Sequence, residues 1–158
     1  MSVQDIPEGF KLYPKDNSFN DAFSPLYVRM TEAGPQFGLR VEKNHCNPIG
    51  ICHGAVLMGL MDIALSGSVC FAMGKYTGTP TISITLDYIA ASREGDWIFA
   101  EVHAADLTRT MGFVNGIIKG SNGNLVRASG CFKLPNDIEA APGISVKDFN
   151  EMRARGGF

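Results

Sequence analysis

The chain has 158 residues, enough for one domain with a full-sized core, and 45% of them are hydrophobic. Fourteen Lys and Arg against sixteen Asp and Glu leave a net charge of −2, with no long run of either sign. That balance argues against nucleic acid and against a charged membrane surface as partners, so an anionic ligand would have to be met locally.

The N-terminus, MSVQDIPEGFKLYP, lacks the basic start and apolar core of a secretory signal, which makes a cytoplasmic address the expectation. Cys46, Cys52, Cys70 and Cys131 include no CxxC pair and are expected as reduced thiols. Cys46, Cys52 and His53 lack zinc spacing and a fourth ligand, so no metal site is expected.

Residues 1–16, with Pro7, Gly9 and Pro14, read as an extended lead-in on the surface that carries no chemistry. Residues 17–23 predict a short helix with Phe19 and Phe23 on one edge, ended by Pro25. Strand-like runs at 26–32 and 36–41 flank Ala33-Gly34-Pro35 and predict a hairpin. Residues 42–52 form a loop that delivers the chain to the next element.

Residues 54–73 hold a single charge, Asp62, in an otherwise apolar and small-residue run of about five helical turns. A helix apolar on every face is either a membrane span or the buried centre of a fold. The central acid, the lack of flanking basic clusters and the sheet-like segments that follow favour the buried centre, with no membrane involved. Cys52 and His53 precede this helix where Ser, Thr, Asp or Asn would normally cap it. Its first N–H groups are therefore expected to lack a local cap. They are open to an anion or a carbonyl oxygen, or to a cap from Asn47, water or another part of the fold.

Residues 75–80 read as a turn. Residues 81–89 then alternate, with Ile82, Ile84, Leu86 and Tyr88 on one face and Thr81, Ser83, Thr85 and Asp87 on the other. Further strands are predicted at 97–107, 111–119 and 125–134, the last two joined by the GSNGN turn. Residues 145–153 predict a short amphipathic helix capped by Ser145, followed by a mobile tail, 154–158. The domain is then residues 25–135, with an N-terminal extension at 1–24 and a C-terminal one at 136–158. The fold class is α+β: strands curl round one central helix, and the face they leave open packs on a second copy of the chain.

Asn47, His53, Gly54, Ala55 and Asp62, followed by the strand from Thr81, resemble the hotdog-fold acyl-CoA thioesterases, and among them the branch of the phenylacetate-pathway thioesterases. The resemblance runs from about Pro25 to Leu134. It implies a curved antiparallel sheet wrapped round the helix, dimers with joined sheets often paired into tetramers, and hydrolysis of acyl-CoA without a cofactor. By position, Gly54 would offer its N–H to the thioester oxygen, and Asp62 would activate water or attack directly. Asn47 would orient water or substrate, His53 would support the turn, and Thr81 would hold water. Arg109 is the candidate for a coenzyme A phosphate. The family usually has a second glycine where this chain has Ala55, a methyl group that would narrow the approach of substrate.

Gly54 and Asp62 are eight residues apart, or roughly 12 Å along one helix, too far to serve one carbonyl. Two antiparallel helices across a two-fold axis bring the Gly54 end of one near Asp62 of the other, and partial desolvation there would make the acid more basic. The rivals are an acyl-CoA sensor that binds without turnover and a hotdog hydratase or dehydratase, which would need a His and Glu arrangement not found here. Met58, Met61, Phe71 and Met73 are the apolar candidates for lining an acyl pocket. Gly112 and Gly116 fit either a pantetheine arm close to the backbone or plain bulges. His45 and His103 read as surface or strand residues.

Overall fold

A computed structural model describes residues 6–15 and 17–155. It is an α+β fold in which an antiparallel sheet holds one long helix. The strands are β1 (Lys11–Leu12), β2 (Leu26–Thr31), β3 (Gly34–Arg40), β4 (Lys75–Tyr76), β5 (Thr81–Tyr88), β6 (Trp97–Val102), β7 (Asp106–Leu107), β8 (Met111–Gly120), β9 (Gly123–Lys133) and β10 (Ile144–Ser145). The helices are α1 (Gly54–Met73) and α2 (Val146–Ala154), with 3-10 turns at Phe19–Phe23 and Lys43–His45. The main sheet runs β1-β2-β3-β6-β8-β9-β5, with β7 also paired to β8, and β4 and β10 make a separate two-stranded ribbon.

α1 is long and apolar enough to cross a membrane, yet it is the core helix, packed on β3, β6, β8 and β9. Leu60, Met61, Ala64, Leu65 and Val69 are fully buried against Leu39, Ile98, Ile118 and Phe132. Each large side chain so buried contributes about 1.5–3 kcal/mol. The helix ends where Gly74 turns left-handed at φ +78° and its N–H returns to Phe71 O. One side of α1 stays open, along Ala55, Met58 and Asp62.

Glycines set how closely sheet and helix approach. A Cβ on Gly112 would come within 2.8 Å of Val69 Cγ1, and one on Gly116 within 3.2 Å of Leu65 Cδ2 and Met61 Sδ. Both residues sit in regular β8 pairing, against Leu107 or Phe132 and against Val102 or Ala128, so neither is a bulge and both face the helix. On the helix side, a Cβ on Gly59 would run into the Phe23 ring and one on Gly67 would meet Phe37.

Several boundaries differ from the sequence reading. Gly34 and Pro35 belong to β3 rather than to the turn, because Thr31 pairs with Gly34 and leaves only Glu32 and Ala33 to turn. The strand expected over 97–107 is broken at residues 103–105, where Ser68 Oγ donates to His103 O (3.3 Å). Lys75 and Tyr76 leave the expected turn to pair with Ser145 and Ile144. The lead-in is more than a surface strap: Phe10 is buried, edge-on to Trp97 at 5.1 Å, and β1 pairs with β2. Residues 1–5 and 16 of that lead-in lie outside the described residues, as do 156–158 of the tail expected to be mobile; Ala154 closes α2.

Gly112→Val places a branched side chain against the branched Val69, so helix and sheet must separate. The expected loss is about 1–3 kcal/mol, read as a lower urea midpoint with unchanged slope.

Candidate active site

The entry to α1 is built from its own loop. Asn47 Oδ1 accepts from Ile49 N (3.2 Å) and Ile51 N (3.3 Å), and Asn47 N donates to Ile51 O (2.9 Å). The carboxamide oxygen is thus spent on loop closure, and the NH2 is the group left to meet a ligand. His53 is the N-cap that the sequence reading missed, since its Nδ1 accepts from Ala55 N (3.0 Å). An imidazole nitrogen can do what Ser or Asp does at this position. Gly54 N–H has no hydrogen-bond partner among the described residues, while Gly54 O accepts from Tyr88 Oη (3.0 Å).

His45, expected at the surface or in a strand, is 2% exposed. Its Nδ1 accepts from Glu42 N (3.0 Å), its backbone oxygen accepts from His53 N (2.8 Å), and its Nε2 is buried with no partner among the described residues. Burial lowers its pKa, against an opposing pull from Glu42. His103 is exposed. The backbones of Cys46 and Cys52 pair in an isolated antiparallel β-bridge, and all four cysteines are free thiols. Burial pushes the Cys52 thiol up to about 11.

Two turns further on, Asp62 is half-buried, and its Oδ1 accepts from Thr81 Oγ1 at 2.7 Å. Strict alternation sets Thr81 on the face opposite Ile82 and Ile84. A bulge between Thr81 and Ser83 reverses this: Thr81 pairs with the fully buried Phe132 and turns toward the helix. The carboxylate thereby gains a hydroxyl donor, and its Oδ2 has no bond among the described residues.

Four of the expected site residues fall into two cavities, while His53 lines neither. A chamber of about 630 Å3 holds Asp62 and Thr81, with Tyr13, Phe37, Ile63, Tyr76 and Phe149 among its walls. A separate cleft of about 340 Å3 holds Asn47, Gly54 and Tyr88. Within one chain, Gly54 and Asp62 are therefore not brought together. None of the residues expected to line an acyl pocket lines either cavity: Met61 is core, Phe71 packs under Gly34, Met73 lies against the core and Met58 is 48% exposed. Gly112 and Gly116 likewise admit the helix rather than a substrate arm to their inner side.

Arg109 is exposed in the turn between β7 and β8 and lines neither cavity. Arg93, which the sequence reading did not single out, pairs with Ile51 of the cleft and is exposed. Tyr13, Tyr76, Tyr88 and Phe149 were also missed. Only Tyr88 had a signal, as the last apolar residue of an alternating run. Among the described residues no three His, Cys, Asp or Glu side chains converge on a metal position.

His45 gives this region a pH response. Below about 6.5, its ordinary value, the unfolded chain takes up a proton that the native imidazole resists, so stability falls as pH drops from there toward the lowered native value. Asn can keep the acceptor for Glu42 N–H without titrating. His45→Asn is expected to flatten the stability loss between pH 7 and 5.5 in urea titrations.

Residues 49–126 match the family model of the thioesterase superfamily. The Pseudomonas aeruginosa protein named "Putative esterase PA0474" is 28% identical over 84% of this chain and all of its own length. A hypothetical thioesterase protein of Streptococcus pneumoniae TIGR4 solved with coenzyme A superposes with a TM-score of 0.65 at 20% identity, covering 80% of this chain and 92% of that one. A mutant of the phenylacetic acid degradation protein PaaI of Thermus thermophilus gives 0.62 at 17% identity, over 70% and 93%. Sequence and fold agree: residues 49–126 carry the thioesterase-superfamily match within a hotdog fold, which supports a thioester hydrolase.

Proposed function

We propose that the protein hydrolyses acyl-CoA thioesters at a site completed by a second copy of the chain. The observation that carries this reading is the division of the site residues between two cavities. The Asp62–Thr81 pair lies in one and the free Gly54 N–H in the other, roughly 12 Å apart along α1. Hydrolysis needs a donor for the oxyanion and a base for water at one carbon, and two antiparallel copies of α1 supply both. The open side of α1 and the edge strand β5, which among the described residues pairs only with β9, favour such a partner. Ile82, Tyr88 and Ile89 are each more than half exposed along that edge, and Met58 nearly so. The coenzyme A in the pneumococcal neighbour supports the thiol half of the substrate.

In this reading Asp62 Oδ2 takes a proton from water held by Thr81, and the resulting hydroxide adds to the thioester carbon. Gly54 N–H at the positive end of the partner's α1 holds the oxyanion, with the Asn47 NH2 beside it. The C–S bond then breaks, and the proton on Asp62 passes to the leaving thiolate. His53 positions Gly54 through the cap. Tyr88 fixes the Gly54 carbonyl, which leaves the N–H to face the substrate. Arg93 at the cleft and Arg109 in its turn are the cations offered to coenzyme A phosphates. Pairing of dimers into tetramers, in the cytoplasm, completes the reading.

Asp62→Asn keeps an acceptor for Thr81 and loses the base. Thiol release from acyl-CoA is expected to fall by about 10²–10⁴ with the oligomer unchanged in size-exclusion chromatography. Near-normal turnover in the variant would remove Asp62 from the chemistry. A wild-type protein that binds acyl-CoA and releases no thiol would make this a binding module.

A further inference from the structure

The chamber has a direction. On α1 it is lined by Asp62, Ile63, Ser66, Gly67 and Cys70, a stripe on one face whose ends are eight residues apart, or about 12 Å. Asp62 and Thr81 mark its reactive end. At the other end the C-terminal segment folds back across the end of α1. Val146 N donates to Gly74 O (2.9 Å), Ile144 pairs with Tyr76, and Lys75 Nζ reaches Ile138 O (3.1 Å) and Glu139 O (2.9 Å). Arg153 of α2, 7% exposed, anchors it to the sheet by donating from Nη2 to Val28 O (3.0 Å). The Phe149 ring lies against the Tyr76 ring at 4.7 Å, and both line the chamber. Cys70 Sγ donates to Thr77 O (3.3 Å), so the thiol at that end is occupied with the chain rather than with a ligand.

We propose that this chamber is an acyl channel closed by the Phe149–Tyr76 pair, and that the protein prefers straight acyl chains of about ten carbons. The length follows from the span. An extended chain advances about 1.2 Å per bond, as three bonds make up the 3.3–3.6 Å of an extended residue, so about 12 Å accommodates about ten bonds. An aromatic acyl group would fill only the part beside Asp62 and leave the Phe149 end empty. The walls next to that end, Val28, Phe37, Ile144 and the Phe149 ring, favour chain carbons over polar groups. Phe149 is then a specificity residue supplied by a segment outside the residues matched by the family model. This inference rests on Asp62 marking the reactive end.

The test compares kcat/KM for acyl-CoAs of about 4 to about 18 carbons, in steps of about two, in wild type, Phe149→Ala and Phe149→Trp, with binding of the free fatty acids of the same lengths measured by calorimetry. Wild type is expected to peak near ten carbons. Phe149→Ala should move the peak out by two or more carbons and raise the preference for the longer chain about fifteenfold, since each of two buried methylenes is worth about fourfold. Phe149→Trp should move the peak inward. A profile in which neither variant shifts the optimum, or a wild-type peak on short or aryl groups, overturns the end stop. If no thioester is cleaved the proposed reaction fails, while fatty-acid binding that peaks near ten carbons and shifts in Phe149→Ala still establishes the channel. Flat binding refutes it. A Phe149→Ala protein that does not fold leaves Phe149→Trp, for which an unshifted profile is equally decisive.

Discussion

The need to cover α1 governs this molecule. Twenty residues with one charge cannot stand in water, and a single curved sheet covers such a cylinder on one side only. The sheet achieves its side by close approach, with Gly112 and Gly116 on β8 giving up side chains so that Val69, Leu65 and Met61 can settle against the backbone. The first turn-like segment places Phe23 over Gly59, and β3 places Phe37 against Gly67. What none of these covers is the strip that carries Ala55, Met58 and Asp62.

The same constraint separates the chemistry. A straight helix fixes its donor end and its acid at a set distance, and the cavities on this chain respect that separation. Loop closure has already used the Asn47 oxygen, the cap has used His53 Nδ1, and Thr81 has been turned inward to meet Asp62. Each local bond leaves one group without a partner among the described residues: the Asn47 NH2, the Gly54 N–H and Asp62 Oδ2. In the proposed reaction these serve as the two donors and the acceptor, brought to one carbon by two chains.

Much of this was legible in the sequence, because burial and alternation leave a periodic trace. The buried helix, the hairpin at 26–41, the strands from Thr81 onward and the Ser145 cap, which accepts from Asp148 N (3.0 Å), are all periodic or capping signals. Asp62 stood out as the one charge in an apolar run. The misreadings share a cause, which is dependence on partners distant in sequence. Thr81 turns inward because of a bulge against β9, and the buried His45 is tied to His53 across the loop 46–52 by His53 N donating to its backbone oxygen. Met61 looked like pocket lining and is core because Gly116 lies opposite. Tyr13 and Phe149, from the two ends of the chain, meet in a cavity that no local pattern announces.

The shared site is tested most directly by mixing two variants that each remove one half of it. Gly54 is the first residue of α1, and His53 before it is extended at φ −65° and ψ 135°, so Gly54→Pro deletes the N–H while fitting the helix start. Asp62→Asn deletes the base. Each variant alone should be inactive, and random reassortment of the two should restore about a quarter of wild-type activity, because half the dimers are mixed and each has one intact site. Mixed dimers verified by mass spectrometry that stay inactive would mean that donor and acid act from the same chain, and would contradict the account.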